Sequence, residues 1–557
     1  MNFRLSALSA AIALTCGTAV ARQPEFSIQL NPLASYVGSG VGTPGTGIEI
    51  VAYDSGSRRV FAINAGKNTL DVVDLADPAN PLRVAVVDFA PYGGGVNGVA
   101  VRDGLVAVAS EATTKTDPGR VVFLDARSLD VLGQVPAGAL PDMLTFTPDG
   151  RHLLIANEGE PNEDYSIDPE GSVTVVDLSN GVAGASARTA RFTAWVGREA
   201  ELRAAGVRVF GVKGDGSPSS AAEDFEPEYI AVPGPRAYVT LQENNAVAVL
   251  DIAQARIESV LPLGFKNHAV AGQGLDPSDR DNGNLVNPWP VFGMFNPDAI
   301  ATLKVRDEVF LLTANEGDAR LYPTGDDVIP GLDEGDIFNE EIRVGNGGYP
   351  LDPAAFPNSA TLKNNANLGR LTVTNTLGDA DGDGDFDRIY AFGARSFAVW
   401  SPVAFAASTS PTAPNAGLVW DSGDAFEQIT RSVYPTRFNS SNSNTSRDDR
   451  SDNKGPEPEG IAVGRVGPRD YAFIALERIG GVMVYDVSNA RQPQFLQYVN
   501  TRDFGLDALP GQNDSGPEGV TFIAAEDSPN GRPLLLVGNE VSQTMSVFEV
   551  EALRSPR

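Results

Sequence analysis

The sequence predicts an all-β protein, a β-propeller of seven or eight blades whose last blade is closed by an N-terminal strand and which carries long loop insertions on one face. Three observations lead there. One strand ending recurs six times along 557 residues, and two further strand signatures recur at matching places. In addition, 58 Gly and 39 Pro supply turns between short strands instead of long helices.

The recurring ending reads Val72-Val73-Asp74-Leu75, Phe123-Leu124-Asp125-Ala126, Val175-Val176-Asp177-Leu178, Val249-Leu250-Asp251-Ile252, Val484-Tyr485-Asp486-Val487 and, with Glu for Asp, Val547-Phe548-Glu549-Val550. It closes the third strand of each module. The first strand opens on Glu226-Pro227-Glu228-Tyr229-Ile230-Ala231-Val232 or Glu457-Pro458-Glu459-Gly460-Ile461-Ala462-Val463, with Pro141-Asp142, Pro297-Asp298 and Pro517-Glu518 as counterparts. Glu49 and Asn97 take that place in the first two modules. Second strands end in a carboxylate: Glu111, Glu158, Glu243, Glu316, Glu477 and Glu540. A degenerate unit, Ile389-Tyr390-Ala391-Phe392 with Phe397-Ala398-Val399-Trp400, stands as an eighth module or merges with its neighbour to leave seven. A β-sandwich is the competing arrangement, but it needs no repeated strand endings. The final module lacks an outer strand, which the apolar stretch from Phe26 to Tyr36 is placed to supply, leaving no open edge.

Arg4, the apolar run from Leu5 to Thr18 and Ala19-Val20-Ala21 read as a signal peptide over residues 1–21. The expectation is a secreted or periplasmic protein cleaved near Ala21, with residues 22–557 as a single propeller domain. The one cysteine, Cys16, lies in the removed segment, so the mature chain has no disulfide. No later run of 18 apolar residues predicts a transmembrane segment. Insertions fall at residues 196–224, 262–296, 318–367 and 401–456, the first holding a short helix from Arg198 to Ala205 that stops at Gly206. Asn439 to Asp452 is, by composition, a flexible or lid-like loop.

A balance of 42 Lys and Arg against 72 Asp and Glu gives a net charge of −30. That excludes nucleic acid and anionic membrane surfaces as partners and favours divalent cations. The most specific motif is Asp379-Ala380-Asp381-Gly382-Asp383-Gly384-Asp385-Phe386-Asp387, whose carboxylates surround a turn glycine at the spacing of a Ca²⁺ loop. Its flanks read as strands, so it resembles the hairpin calcium loop of integrin-type propellers, with Asp387 completing the site. The competing reading is an unliganded acidic turn.

A second carboxylate set follows from the fold. First strands start, and second strands end, at the same end of a blade, so the acids above should share one rim. Glu158, Glu228, Glu316, Asp318, Glu459 and Glu477 are its candidate metal ligands, although some of the set should instead tie turns together through backbone N–H groups. Crowded like charges raise one another's pKa or demand cations. Arg320, Lys454 and Arg478 are candidates to bind an anion, and the rim arginines, Arg395 among them, could equally neutralise part of the ring. His152 and His268 are the only histidines, too few for a His-rich zinc site or a Ser-His-Asp triad. His152 is expected to be structural, and His268 is the better functional candidate.

Glu226-Pro227-Glu228-Tyr229-Ile230-Ala231, Leu241-Gln242-Glu243-Asn244-Asn245, Thr313-Ala314-Asn315-Glu316-Gly317-Asp318-Ala319-Arg320 and Lys454-Gly455-Pro456-Glu457-Pro458-Glu459-Gly460 resemble the bacterial choice-of-anchor I domain family, related to the mesenchyme-specific cell-surface glycoproteins of biomineralising animals. The resemblance implies a secreted or surface-held propeller, with calcium and mineral association in the animal relatives and an alkaline phosphatase label on many bacterial members. Glu551 to Arg557 offers none of the C-terminal anchors for which the family is named. Two functions follow as expectations. One is a non-catalytic Ca²⁺-binding propeller that recognises an extracellular partner, glycan or mineral surface. The other is a Ca²⁺-dependent phosphoester hydrolase acting on a phosphorylated compound, with the rim acids as ligands or base and Arg320, Lys454 and Arg478 holding phosphate. No catalytic residue is assigned by the sequence.

Overall fold

Strands that are apolar at nearly every position need cover on both faces. A computed structural model describes residues 26–42, 47–162, 165–213, 215–322, 338–406, 410–506 and 510–554, and the signal segment lies outside them. Seven four-stranded antiparallel sheets provide that cover for one another. The first blade runs Val51–Asp54, Arg59–Asn64, Thr69–Asp74 and Leu82–Asp88. The second, third, fourth and sixth occupy residues 95–139, 141–191, 227–262 and 458–499 in the same order. First strands of consecutive blades touch in cyclic order, and the seventh touches the first, so the sheets surround a central channel.

A separate apolar cluster fills each of the seven junctions between neighbouring blades. The two-residue period of a strand divides its side chains between two junctions. In His152–Asn157, Leu153 and Ile155 face the second blade while Leu154 faces the fourth. In Ser396–Trp400, Phe397 and Val399 pack towards the sixth blade, Ala398 and Trp400 towards the fourth. The repeated Asp ending the third strand caps the next turn: Asp74, Asp125, Asp177, Asp251 and Asp486 each accept a backbone N–H two or three residues on.

The last blade closes as the sequence predicts. Pro517–Ile523, Leu534–Asn539 and Thr544–Arg554 are joined by Phe26–Val37, which pairs antiparallel with Thr544–Arg554.

The degenerate module does not form a blade. Phe397 to Trp400 belongs to the third strand of the fifth blade, ordered Ile300–Val305, Glu308–Asn315, Ser396–Trp400 and Leu418–Asp421. Tyr390–Ala391 instead joins Phe265–Asn267, Phe292–Met294, Thr372–Thr374 and Glu341–Arg343 in a five-stranded sheet built from insertions. Any buried strand shows the same apolar run, so the sequence pattern could not tell the two sheets apart. This sheet has its own core of Val344, Leu371, Val373, Ile389 and stacked Tyr349 and Phe386.

Insertions that join a fourth strand to the next first strand, or a second strand to a third, leave the propeller at the channel mouth where first strands begin. Residues 401–417 join a third strand to a fourth at the other end, yet reach the accessory sheet through a bridge between Gly264 and Pro414. The short helix forms at Glu199–Ala204. The loop from Asn439 to Asp452 is not an open lid: Asn439, Ser440 and Ser451 are fully buried. Arg502 donates to the carbonyls of Ser441, Asn442 and Asn444. Composition reports polarity, and here much of that polarity is folded inside, where Asn439 donates to Glu427 and Ser451 and Asn442 donates to Glu477.

Candidate functional site at the channel mouth

One local device delivers an acid from most blades. Pro141, Pro227, Pro458 and Pro517 pair with the last residue of their second strands, and then the register shifts until Leu144, Ile230, Ile461 and Val520. Asp142, Glu228, Glu459 and Glu518 sit in those bulges, and bulges of this kind re-aim a side chain. Asn97 occupies the matching shift in the second blade. The residue before the proline takes a left-handed φ at Leu140 (45°), Asn296 (39°), Glu457 (50°) and Gly516 (70°). At a non-glycine residue that conformation costs about 1–2 kcal/mol. Where Gly follows the acid, neighbouring first strands close to backbone contact: a Cβ on Gly460 would lie 1.7 Å from the Glu518 carbonyl oxygen.

The acids therefore crowd at one mouth, as the strand argument expects. Burial, followed by the charges of Glu540 and Asp142, pushes Glu49 up to about 8. Burial likewise pushes Asp142 and Glu243 up to about 7 and Glu477 to about 8. Burial first, and the charge of neighbouring carboxylates next, hold Glu158, Glu228, Asp298, Glu459 and Glu518 well above the usual carboxylate range.

Within this crowd, two triads bring carboxylate oxygens within 4.8 Å of one another: Glu316, Glu457 and Glu477, and Asp142, Glu158 and Glu228. The first is filled with bases. Lys454 Nζ lies 2.8 Å from Glu316, 3.2 Å from Asp318 and 3.2 Å from Glu457. Arg478 reaches Glu457 at 2.8 Å and Glu477 at 3.0 Å, and Arg450 reaches Glu457 at 2.7 Å. Gln242 and Asn442 donate to Glu316 and Glu477. Burial alone would raise Glu457, but Arg478, Lys454 and Arg450 together hold it well below the usual range. The second triad is different: among the described residues, no Lys or Arg forms an ion pair with any of its three members. Lys115 stands close enough to Glu158 to feel its charge, but it pairs with Glu160.

Lys454, Arg478 and Arg320 are thus all engaged by carboxylates of the chain itself. Arg320 is buried against Asp224 at 2.6 Å and Glu226 at 3.2 Å, and Arg395 against Glu427 at 2.9 Å. Lys454 and Arg478 neutralise part of the ring, whereas Arg320 and Arg395 are held by acids beside it, Asp224, Glu226 and Glu427. Sequence reasoning missed Glu457 as the hub of the paired triad. Its signal was the acid on both sides of Pro458, of which only the second was counted as a rim group.

The Asp379–Asp387 segment lies in a hairpin between Thr372–Thr374 and Tyr390–Ala391, whose Val373 and Ala391 pair. Oxygens of Asp379, Asp381 and Asp387 gather within 4.8 Å; Asp383 and Asp385 lie outside that group. Asp379 accepts the N–H groups of Gly382 and Gly384, and Asp387 that of Ala380, so the turn is pre-shaped. The charge of Asp383, then burial, raises Asp381. His152 is half-buried in its strand. His268 is buried beside Gln273 O at 2.6 Å, and burial, reinforced by Lys266 and Arg395, lowers its pKa so that it stays neutral. It lies away from the acid-lined mouth triads, directly after Phe265–Asn267 of the accessory sheet, with its Nδ1 at the Gln273 carbonyl.

Known proteins resemble the chain in sequence and in fold. Gigasin-3a of Magallana gigas is 29% identical over 208 residues, 35% of this chain and 69% of that protein. The mesenchyme-specific cell surface glycoprotein of Strongylocentrotus purpuratus is 28% identical over 298 residues, 50% of this chain, and the match spans 37% of that protein's length. Among solved structures, the Swd1 β-propeller domain of Myceliophteria thermophila superposes with a TM-score of 0.40 at 8% identity, over 92% of this chain and 99% of that one. Hydrazine synthase of Kuenenia stuttgartiensis gives 0.41 at 13% identity, over 93% and 98%. The choice-of-anchor I domain profile matches residues 49–490, from the first blade through the sixth, and the chain belongs to that family.

Proposed function

We propose that this chain is an extracellular, calcium-dependent binding propeller that recognises a partner, glycan or mineral surface through its acidic mouth. The observation that carries this reading is the convergence of strand-end acids on one mouth in numbers the nearby bases do not match. Two carboxylates about 5 Å apart repel by about 3 kcal/mol at an effective dielectric near 20. A mouth built this way takes up protons or hard cations. Family membership supports a surface or ligand-binding role, and the name of the sea-urchin relative places that protein at a cell surface. The apolar segment before Ala19-Val20-Ala21 supports export. Among the described residues, no helix is long and apolar enough to cross a membrane.

The phosphoester hydrolase reading assigns phosphate to three rim cations as well as to bound Ca²⁺. Arg320, Lys454 and Arg478 are each committed to internal carboxylates, so the binding reading is the better supported. The test is adsorption of the purified protein to calcium carbonate, calcium phosphate and uronic-acid or sulfated glycans. Retention in about 1 mM Ca²⁺, the range that suits extracellular modules, and release by chelator is the expected result. Retention unaffected by chelator, or none on any surface, would overturn the reading. Phytate and an aryl phosphate should not be turned over with or without Ca²⁺.

A further inference from the structure

We infer that Asp142, Glu158 and Glu228, backed by Glu243, form a site for a hard divalent cation of the Ca²⁺ class where the third and fourth blades meet at the mouth. The inference deepens the binding reading above by fixing where on the mouth a cation sits and what it would present to a partner.

Four observations carry it. The three first-named carboxylates converge within 4.8 Å. Each comes from a strand end held by the ladder: Pro141 pairs with Asn157 and Pro227 with Leu241, which fixes Asp142 beside Glu158 and Glu228 beside Glu243. Glu243 is only 8% exposed, and its Oε2 is buried without a hydrogen-bond partner. A buried carboxylate oxygen that no donor of the chain reaches is where a cation or a water can bind. Finally, the outlying acids of the region are ion-paired, Glu160 with Lys115 and Glu226 with Arg320, whereas among the described residues no Lys or Arg forms an ion pair with any of the central four.

An all-oxygen donor set without His or Cys selects Ca²⁺, Mg²⁺ or Mn²⁺ over zinc or copper. Asp142, Glu158 and Glu228 are half-buried, so one side of the group remains open to channel water. Three carboxylates do not fill the six to eight positions Ca²⁺ prefers. The remaining positions could take oxygens from a carboxylate, sulfate or phosphate on the partner, which is how an acidic mouth can hold an acidic ligand.

The test is calorimetric titration of the purified full chain with Ca²⁺ alone, comparing wild type with Asp142→Asn/Glu228→Gln, with Glu158→Gln, and with the hairpin variant Asp379→Asn/Asp387→Asn. Relieving repulsion should leave the mouth variants folded, with melting midpoints in chelator at or above wild type. The expected result is one fewer ion bound by Asp142→Asn/Glu228→Gln, an affinity weakened about tenfold or more in Glu158→Gln, and a mouth site that survives in the hairpin variant. Unchanged stoichiometry and affinity in both mouth variants, or no binding of Ca²⁺, Mg²⁺ or Mn²⁺ by wild type, overturns the inference. Ion binding as expected without adsorption to any surface would overturn the binding reading and leave this site standing.

Discussion

Two carboxylate triads of equal size lie at one mouth with opposite surroundings. Glu316 and Glu477 end second strands just as Glu158 does, and in each triad the oxygens lie within 4.8 Å of one another. What differs is what the connections bring. The connection into the sixth blade carries Arg450 and Lys454 into the Glu316–Glu457–Glu477 group, and Arg478 follows the second strand of that blade. The acids of the third and fourth blades receive no such delivery. The repeat sets how many acids reach the mouth, and the connections decide which of them become struts and which stay open to a ligand.

Breaking the paired side should have the largest effect. Lys454→Met leaves three buried acids facing one another with Arg478 and Arg450 alone, and should cost about 3–5 kcal/mol of stability. A thermal melt unchanged from wild type would mean that the triad is not held by its bases. Glu457→Gln and Glu459→Gln sharpen the contrast, because only Pro458 separates the two residues. Loss of the first should destabilise by about 2 kcal/mol, since it accepts from two arginines and a lysine. Loss of the second, a crowded acid with a buried unpaired oxygen, should stabilise the chelated protein by about 1 kcal/mol at pH 8. Changes of the same sign at both positions would refute the distinction.

The pH dependence should separate the two kinds of acid next. Burial pushes Glu49 up to about 8 and Glu243 up to about 7 in the folded state, against 4.5 for an ordinary glutamate carboxyl. Their ionisation therefore penalises folding not at all below pH 4.5 and increasingly up to pH 8. In chelator the melting midpoint should be highest near pH 5 and fall by a few degrees towards pH 8.5; a rising midpoint across that window contradicts the assignment. Glu457 has the reverse sign. Its contribution is present above pH 4.5 and is lost only as the pH falls through its depressed folded value, so it should resist acid to well below pH 4. The smallest effect belongs to the exposed hairpin: Asp381→Asn should leave the melting midpoint in chelator unchanged and remove part of the Ca²⁺-induced rise in midpoint. An undiminished rise would take the hairpin out of the cation account.

Much of this was legible in the sequence, because a repeat states the same geometry several times. Strand endings at Asp74 through Asp486, the acids after Pro141, Pro227 and Pro458, and the closing strand from Phe26 could all be read from period and punctuation. The hairpin with Asp379 and Asp387 could be read as well, since its flanking strands are local. Partner choice was not legible: Lys454 and Glu316 are 138 residues apart, and Arg320 and Asp224 are 96 apart. Nor could the apolar run at Tyr390 be assigned to its sheet, because burial against insertions and burial against blades leave the same composition. The burial of Asn439, Ser440 and Ser451 is illegible for the complementary reason, that polar groups folded inside look the same in sequence as polar groups facing water.

The closing strand also governs when the ring can exist. Asn31 bonds to Glu551 across 520 residues of chain, and Phe26 to Val37 pairs only with the strand that follows all the other blades. While the chain emerges, the early strand has no partner, and the first blade lacks its neighbour on one side. Contacts of such long range form slowly and leave apolar edges exposed in the meantime. The order of synthesis thus opposes the order of closure, and the interval between them is the time in which this protein is most open to mispairing with another copy of itself.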